Sequence, residues 1–416
     1  MAITNIKVSN FKSFKDLDLN LGPFNVVIGP NAAGKSNFVE IFCFLKTLED
    51  NDLDNAVSLH GGHEAILNRR VGPSSSLRMR TISDQQMKWA GWADVQVHET
   101  TYDFALRVGN RQNGLSVGEE SFSQKLRTGV SDEGIELSVG VFMSEGKRRV
   151  EINPPDLFER IKKTGIDPGR APRVTPDAYI EQLSSVIEST RASALLTRYG
   201  FFGFMAPSDS LFRRVGIYDI DPRAVKRPHA TAGRASLEEN GENLALVLRN
   251  ILVDPEKSRK FHNLLQYMLP FVSEVGVERY VGDSVLLKLR ESYHEGDLLA
   301  NLLSDGTVDV VALIVALFFE DKDVVIIEEP ERNLHPHLIS GLMELMKDAS
   351  RSRQVIITTH SPEVVRHAGV ENLLLLSRDK EGFSTVSKPA EKEEVRVFLE
   401  NDLGLDDVFV QELWGS

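Results

Sequence analysis

The chain has 416 residues, 41% of them apolar and 26% charged, proportions of a globular protein with room for two or three domains. A net charge of −13 argues against indiscriminate nucleic-acid binding, where affinity comes from Lys and Arg on phosphates. One cysteine, Cys43, excludes an internal disulfide and a Cys-based metal site. The longest apolar run, 310–319, has about ten residues where a membrane helix needs roughly 18–20. The opening residues lack the apolar core of a secretory signal, so a cytoplasmic protein with no membrane partner is expected.

In chain order, residues 3–8 and 17–21 predict two short strands, and the apolar run 24–28 predicts a buried one. That run stops at Gly29-Pro30, and from Lys35 apolar residues recur at helical spacing (Phe38, Ile41, Phe42, Leu45). Residues 50–90 read as irregular, with Gly61-Gly62, Pro73 and a serine run at 74–76. Alternation from 93 to 152 predicts an antiparallel β-region. Helical patterns follow at 176–198 and 237–275, around a short β-like run at 201–205. Strands at 277–281 and 285–289 lead into a helix–strand–helix–strand series at 308–319, 324–327, 336–350 and 355–358, the alternation a parallel sheet needs. A final short helix is expected at 392–401, and no heptad run is sustained between 150 and 300.

Four motifs carry the chemistry. Residues 29–36, GPNAAGKS, match G-x-x-x-x-G-K-[ST] between a strand and a helix. Such a loop turns its N–H groups onto phosphates, Lys35 reaches the β- and γ-phosphates, and the Ser36 hydroxyl binds Mg²⁺. Residues 324–330, VVIIEEP, form a buried strand that delivers Glu328 to the Mg²⁺ shell and Glu329 as general base at its C-terminal end. Ser304-Asp305-Gly306 opens a helix, a second anion site. Residues 355–362, VIITTHSP, end another buried strand on His360, at the same edge as the glutamates.

This order of motifs, GPNAAGKSN, LLSDGT, VVIIEEPERNLHP and TTHSPE, resembles the ABC-type ATPases of the SMC/RecF/OLD group, and more narrowly the stand-alone bacterial AAA/OLD-like ATPases. The opening 32 or so residues share the likeness, as do IYDIDP at 217–222 and ENGENLALVL at 239–248. The resemblance implies an α/β fold: a P-loop ATPase head with a mixed β-sheet lobe, a parallel core sheet, a short helical insertion and no long coiled coil. The expected divisions are an N-terminal lobe at 1–150, the insertion at 151–275 and a C-terminal lobe at 276–416. It implies that Gly29, Asn31, Ala32, Ala33, Gly34, Lys35, Ser36 and Asn37 hold ATP, with Lys12 near the nucleotide. Ser36 and Glu328 take the metal, Glu329, His360 and Lys35 are catalytic, and Ser304 and Gly306 close on ATP bound by a second protomer. Asn333 to Pro336 stand at the loop joining the two sites.

Three departures from the family pattern stand out. Glu328 replaces the usual Asp, as in OLD-like members. Asp309 lies where relatives often carry a basic residue, which would weaken the contact to the second protomer. No Gln occurs between Gln182 and Gln266, so the family's glutamine link to the metal is either served by another residue or different.

One signature cannot reach the phosphate on its own chain in that architecture, so the expected cycle is an ATP-glued homodimer, with higher oligomers open, switching a separate effector such as a nuclease or toxin. DNA contact is open; its candidate is the stretch with Arg213, Arg214, Arg223, Lys226 and Arg227. A self-contained OLD-type nuclease would need a further carboxylate-bearing domain after His360, for which the sequence leaves little room. The ATPase subunit of a membrane transporter fits the β-rich region and the EEPE carboxylates poorly.

Overall fold

The computed structural model describes residues 2–88, 95–108, 114–128, 137–144, 147–153 and 212–391. The segments expected at 176–198, 201–205 and 392–401 lie outside these residues. Contacts divide the chain into two interleaved units: Met1–Leu21, Asn37–Arg214 and Arg378–Thr385 form one, and Gly22–Ser36, Val215–Ser377 and Val386–Ser416 the other.

The first unit carries a seven-stranded antiparallel sheet in the order Phe14–Asn20, Ala2–Phe11, Leu77–Lys88, Val95–Val108, Leu115–Thr128, Leu137–Ser144, Lys147–Asn153. The β-region expected from alternation is there, but residues 50–90 are not irregular. Asp52 caps a helix at Leu53–Leu59, a single helical turn follows at His63–Ile66, and Leu77–Lys88 pairs with the first strand, Val8 opposite Met79. Leu77, Met79, Thr81 and Ser83 point inward, while Arg78 is exposed and pairs with Asp103. The period of two was present, disguised by polar residues at two of the inward positions.

The second unit is built on five parallel strands in the order Leu373–Arg378, Phe24–Ile28, Gln354–Thr359, Val324–Glu328, Val215–Tyr218. Phe24–Ile28 and Gln354–Thr359 are buried at every position, as strands covered on both faces must be. Helix Asp305–Phe318 is buried from Thr307 through Leu317, starting where the Ser304 hydroxyl accepts the Thr307 N–H (3.1 Å). The long helical pattern at 237–275 is broken. Pro255 has no N–H to continue a helix, so Leu244–Val253 ends and Asp254 caps a second helix, Pro255–Met268. Residues from 272 belong instead to strand Val272–Tyr280, which pairs with Ser284–Glu291 in a small antiparallel sheet. The longest described helix, Lys35–Asp50, has 16 residues, and among the described residues none is long and apolar enough to cross a membrane.

Candidate nucleotide site

Parallel strands all present their C-terminal ends at one edge, and here that edge gathers the chemistry. Phe24–Ile28 runs into the glycine–lysine loop, Gln354–Thr359 into His360, Val324–Glu328 into Glu329, and Val215–Tyr218 into Asp219.

The loop is shaped by close packing and unusual backbone. A Cβ on Gly29 would meet the Leu376 carbonyl at 2.4 Å, so only glycine fits beside that strand. Ala32 and Gly34 take positive φ (63° and 117°), and the Ala33 N–H closes a turn on the Pro30 carbonyl (3.2 Å). Lys35 folds back over the loop, its ammonium donating to the Gly29 carbonyl (2.8 Å) and the Pro30 carbonyl (3.3 Å). Burial pushes its pKa down, opposed by the charges of Glu329 and Glu331. Asn31, Ala32 and Ser36 are exposed, open to a ligand.

The Ser36 hydroxyl stands close enough to Glu328 to favour its ionised form. Burial and the nearby Asp219 carboxylate push the Glu328 pKa up, which a cation would reverse. Hydroxyl and carboxylate oxygens suit Mg²⁺, and among the described residues no group of three or more His, Cys, Asp or Glu could hold a metal alone. The donors present therefore fit an ion completed by phosphate and water.

Glu329 sits in left-handed backbone (φ 43°), anchored by its N–H to the Thr358 carbonyl (2.9 Å). His360 Nδ1 lies 2.9 Å from its Oε1 and, facing an ionised acceptor, donates the proton. Arg332 donates to Oε2 (3.2 Å). Burial alone would raise the Glu329 pKa, but bonds from His360 and Arg332 outweigh it and hold the group below its ordinary value. Next to it Glu331 is buried, accepts the Thr359 hydroxyl, and has its pKa raised by burial.

The expected signature also has its neighbours. A Cβ on Gly306 would lie 2.6 Å from the Asn333 carbonyl, so the start of that helix is pressed against the loop after Glu329. Asn333 has φ 63° and donates to Asp309 Oδ2 (3.0 Å). Asp309 thus faces inward, 5% exposed, and ties the start of helix Asp305–Phe318 to that loop. Lys226 is committed to Asp305, and Arg213 pairs with Asp50 at 3.9 Å, so two of the cations considered for DNA have acidic partners within the chain.

In the first unit, Lys12 (φ 46°) pairs with Glu40 at 3.1 Å and lines a cavity of about 520 Å³ with Arg69, Arg70, Arg378 and Phe383. Asn37, expected on the nucleotide, donates to the Ser13 hydroxyl at 2.8 Å.

Residues 24–366 match the family model described as "AAA domain, putative AbiEii toxin, Type IV TA system". The chain belongs to this AAA-domain family. Within it, the likeness is to the ABC-type SMC/RecF-like ATPase group. The chain is 35% identical over 69 residues to the DNA replication and repair protein RecF of Corynebacterium jeikeium, 16% of each chain. It is 35% identical over 72 residues to the chromosome partition protein Smc of Methanocaldococcus jannaschii, covering 16% of this chain and 6% of that one. The match thus spans about a sixth or less of these relatives' own length. A crystal structure of an Smc head bound to the C-terminal winged-helix domain of ScpA superposes with TM-score 0.48 at 13% identity, over 93% of this chain and 97% of that one.

In this AAA-domain chain, Glu331, Arg332 and Asp219 join the site without any signal of their own in the sequence. Each stands inside a motif already singled out, EEPERNLHP or IYDIDP, yet only three-dimensional proximity says what they touch. Asp309 makes one consequence measurable. Burial raises its pKa to about 6 from an ordinary 3.8, so the unfolded chain releases that proton first as pH rises, and stability falls between these values. Asp309→Asn is therefore expected to gain stability relative to the parent by about 1–2 kcal/mol on going from pH 5 to 7.5. Urea unfolding at both pH values checks it; a difference independent of pH would contradict the buried, protonatable carboxyl.

Proposed function

We propose that the chain binds and hydrolyses ATP with Mg²⁺ and works as a nucleotide-driven homodimeric switch on a separate effector. The observation that carries this reading is the meeting of Lys35, Ser36, Glu328, Glu329 and His360 at one sheet edge. A phosphate loop alone binds nucleotide. A loop beside an ionised carboxylate held by a histidine can also direct water at the terminal phosphate. In this reading Ser36 and Glu328 hold Mg²⁺, which when bound neutralises charge on the phosphates, and Lys35 leaves the loop carbonyls for them. Gly29 to Ser36 line the triphosphate.

Dimerisation is supported by the exposure of Ser304 and by Leu302, a large apolar residue 67% exposed just before it. The match to a toxin-system family supports an effector under control, and the names of the RecF and Smc relatives support a DNA-related setting such as repair.

The test is phosphate release from ATP by the purified chain, with Mg²⁺ and with excess chelator. Turnover is expected with the metal and a fall to the uncatalysed background without it. No release in either condition, or equal release in both, rejects the reading.

A further inference from the structure

Glu329 is gripped at both oxygens, His360 on one and Arg332 on the other, and the grip has a second tier. The Arg332 guanidinium donates through one nitrogen to Glu329 Oε2 (3.2 Å) and through the other to Asp219 Oδ1 (3.0 Å). Asp219 comes from a different strand. Val215–Tyr218 lies parallel to Val324–Glu328 with Tyr218 opposite Ile327, so the next residue along, Asp219, stands level with Glu328. We propose that Arg332 is a positioning residue that orients the Glu329 carboxylate for attack on the terminal phosphate, and that Asp219 fixes Arg332 from the neighbouring strand.

A glutamate has three side-chain torsions, and this one sits between like charges, Glu328 and Glu331, that repel it. The bond from His360 holds one oxygen and leaves the carboxylate free to swing about it. A planar, forked guanidinium at the second oxygen removes that freedom, because it offers donors at fixed angles and is itself held by Asp219. Lysine, a single point charge, could supply the attraction but not both angles at once. Arg332 and Asp219 side chains are both about half exposed, 47% and 49%, so their pair adds little to folding stability and its loss leaves the chain folded. The role is thus separable from structure, and it supplies a contact between the Val215–Tyr218 strand end and the carboxylate.

The inference rests on the hydrolytic reading above and deepens it. The full-length chain and its Arg332→Met, Arg332→Lys, Asp219→Asn and double variants are assayed for ATP turnover, with ATP affinity measured by calorimetry. Arg332→Met is expected to lower kcat about 10- to 100-fold with affinity within about twofold, since misorientation of a reacting group costs rate and not binding. Arg332→Lys recovers part of the loss. Asp219→Asn loses less, and the double variant is no slower than Arg332→Met alone. In a Glu329→Gln background, Arg332→Met changes nothing further, because the carboxylate it orients is gone. Parent-like or raised kcat in Arg332→Met, multiplying losses in the double variant, or a further drop in the Glu329→Gln background each overturns the proposal. Those failures are distinct from failure of the hydrolytic reading itself, which would appear as no Mg²⁺-dependent phosphate release by the parent chain.

Discussion

Glu329→Gln is expected to lower ATP hydrolysis by about 10²–10⁴-fold while ATP affinity stays within a few-fold of the parent. The amide keeps the shape of the side chain and one acceptor oxygen, so His360 or Arg332 retains a partner and the loop after the strand is not disturbed. What disappears is the anionic base. Its charge also repels the polyphosphate, so removing it does not weaken binding. A site that binds but does not turn over accumulates the ATP-bound state, and in the proposed cycle that state is the dimer. Light scattering with saturating ATP and Mg²⁺ should report twice the mass of the nucleotide-free variant. Hydrolysis within tenfold of the parent would remove Glu329 as base, and a monomer at saturating ATP would remove the dimer.

The site was legible where its chemistry is local in sequence. The loop 29–36 is a single run of consecutive residues that matches a phosphate-binding pattern, and the two buried strands announce themselves as apolar runs ending on Glu328 and on His360. Their convergence followed from strand alternation, since a parallel sheet puts such ends on one edge. What was hidden depends on contacts between segments far apart. Arg332 is 113 positions from Asp219, and nothing at either residue announces the other. Asp309 stands out in the sequence only as an acid where relatives often carry a base; its burial and its bond from Asn333, whose left-handed backbone no sequence pattern declares, show only in three dimensions. In the fold, Leu77–Lys88 was missed because Thr81 and Ser83 occupy inward positions in a strand paired on both sides, where backbone ladders satisfy the main chain. The helix break at Asp254-Pro255 was the opposite case: cap and proline were plain, and amphipathic spacing that continued past them won unduly.

Lys35→Ala is expected to weaken MgATP binding by about 100-fold or more, a loss of two or three charge-assisted hydrogen bonds to phosphate. The resting geometry makes the expectation sharper. Lys35 is buried, and burial costs its charge enough to lower its pKa, yet it has only the Gly29 and Pro30 carbonyls as hydrogen-bond acceptors in the loop, with Glu329 and Glu331 acting at longer range. An ammonium placed there without an ionised group in direct contact gains strongly when a phosphate arrives, which is how a loop favours triphosphate over its own carbonyls. Alanine removes that gain and leaves the two carbonyls short of a donor, so a modest stability loss, of about 1–3 kcal/mol, accompanies the binding defect. Calorimetric titration with MgATP, alongside urea unfolding to confirm the fold, separates the two effects. Parent-like affinity in a folded Lys35→Ala chain would mean that the nucleotide does not sit in this loop, and with it would go the roles assigned to Ser36, Glu328 and Glu329.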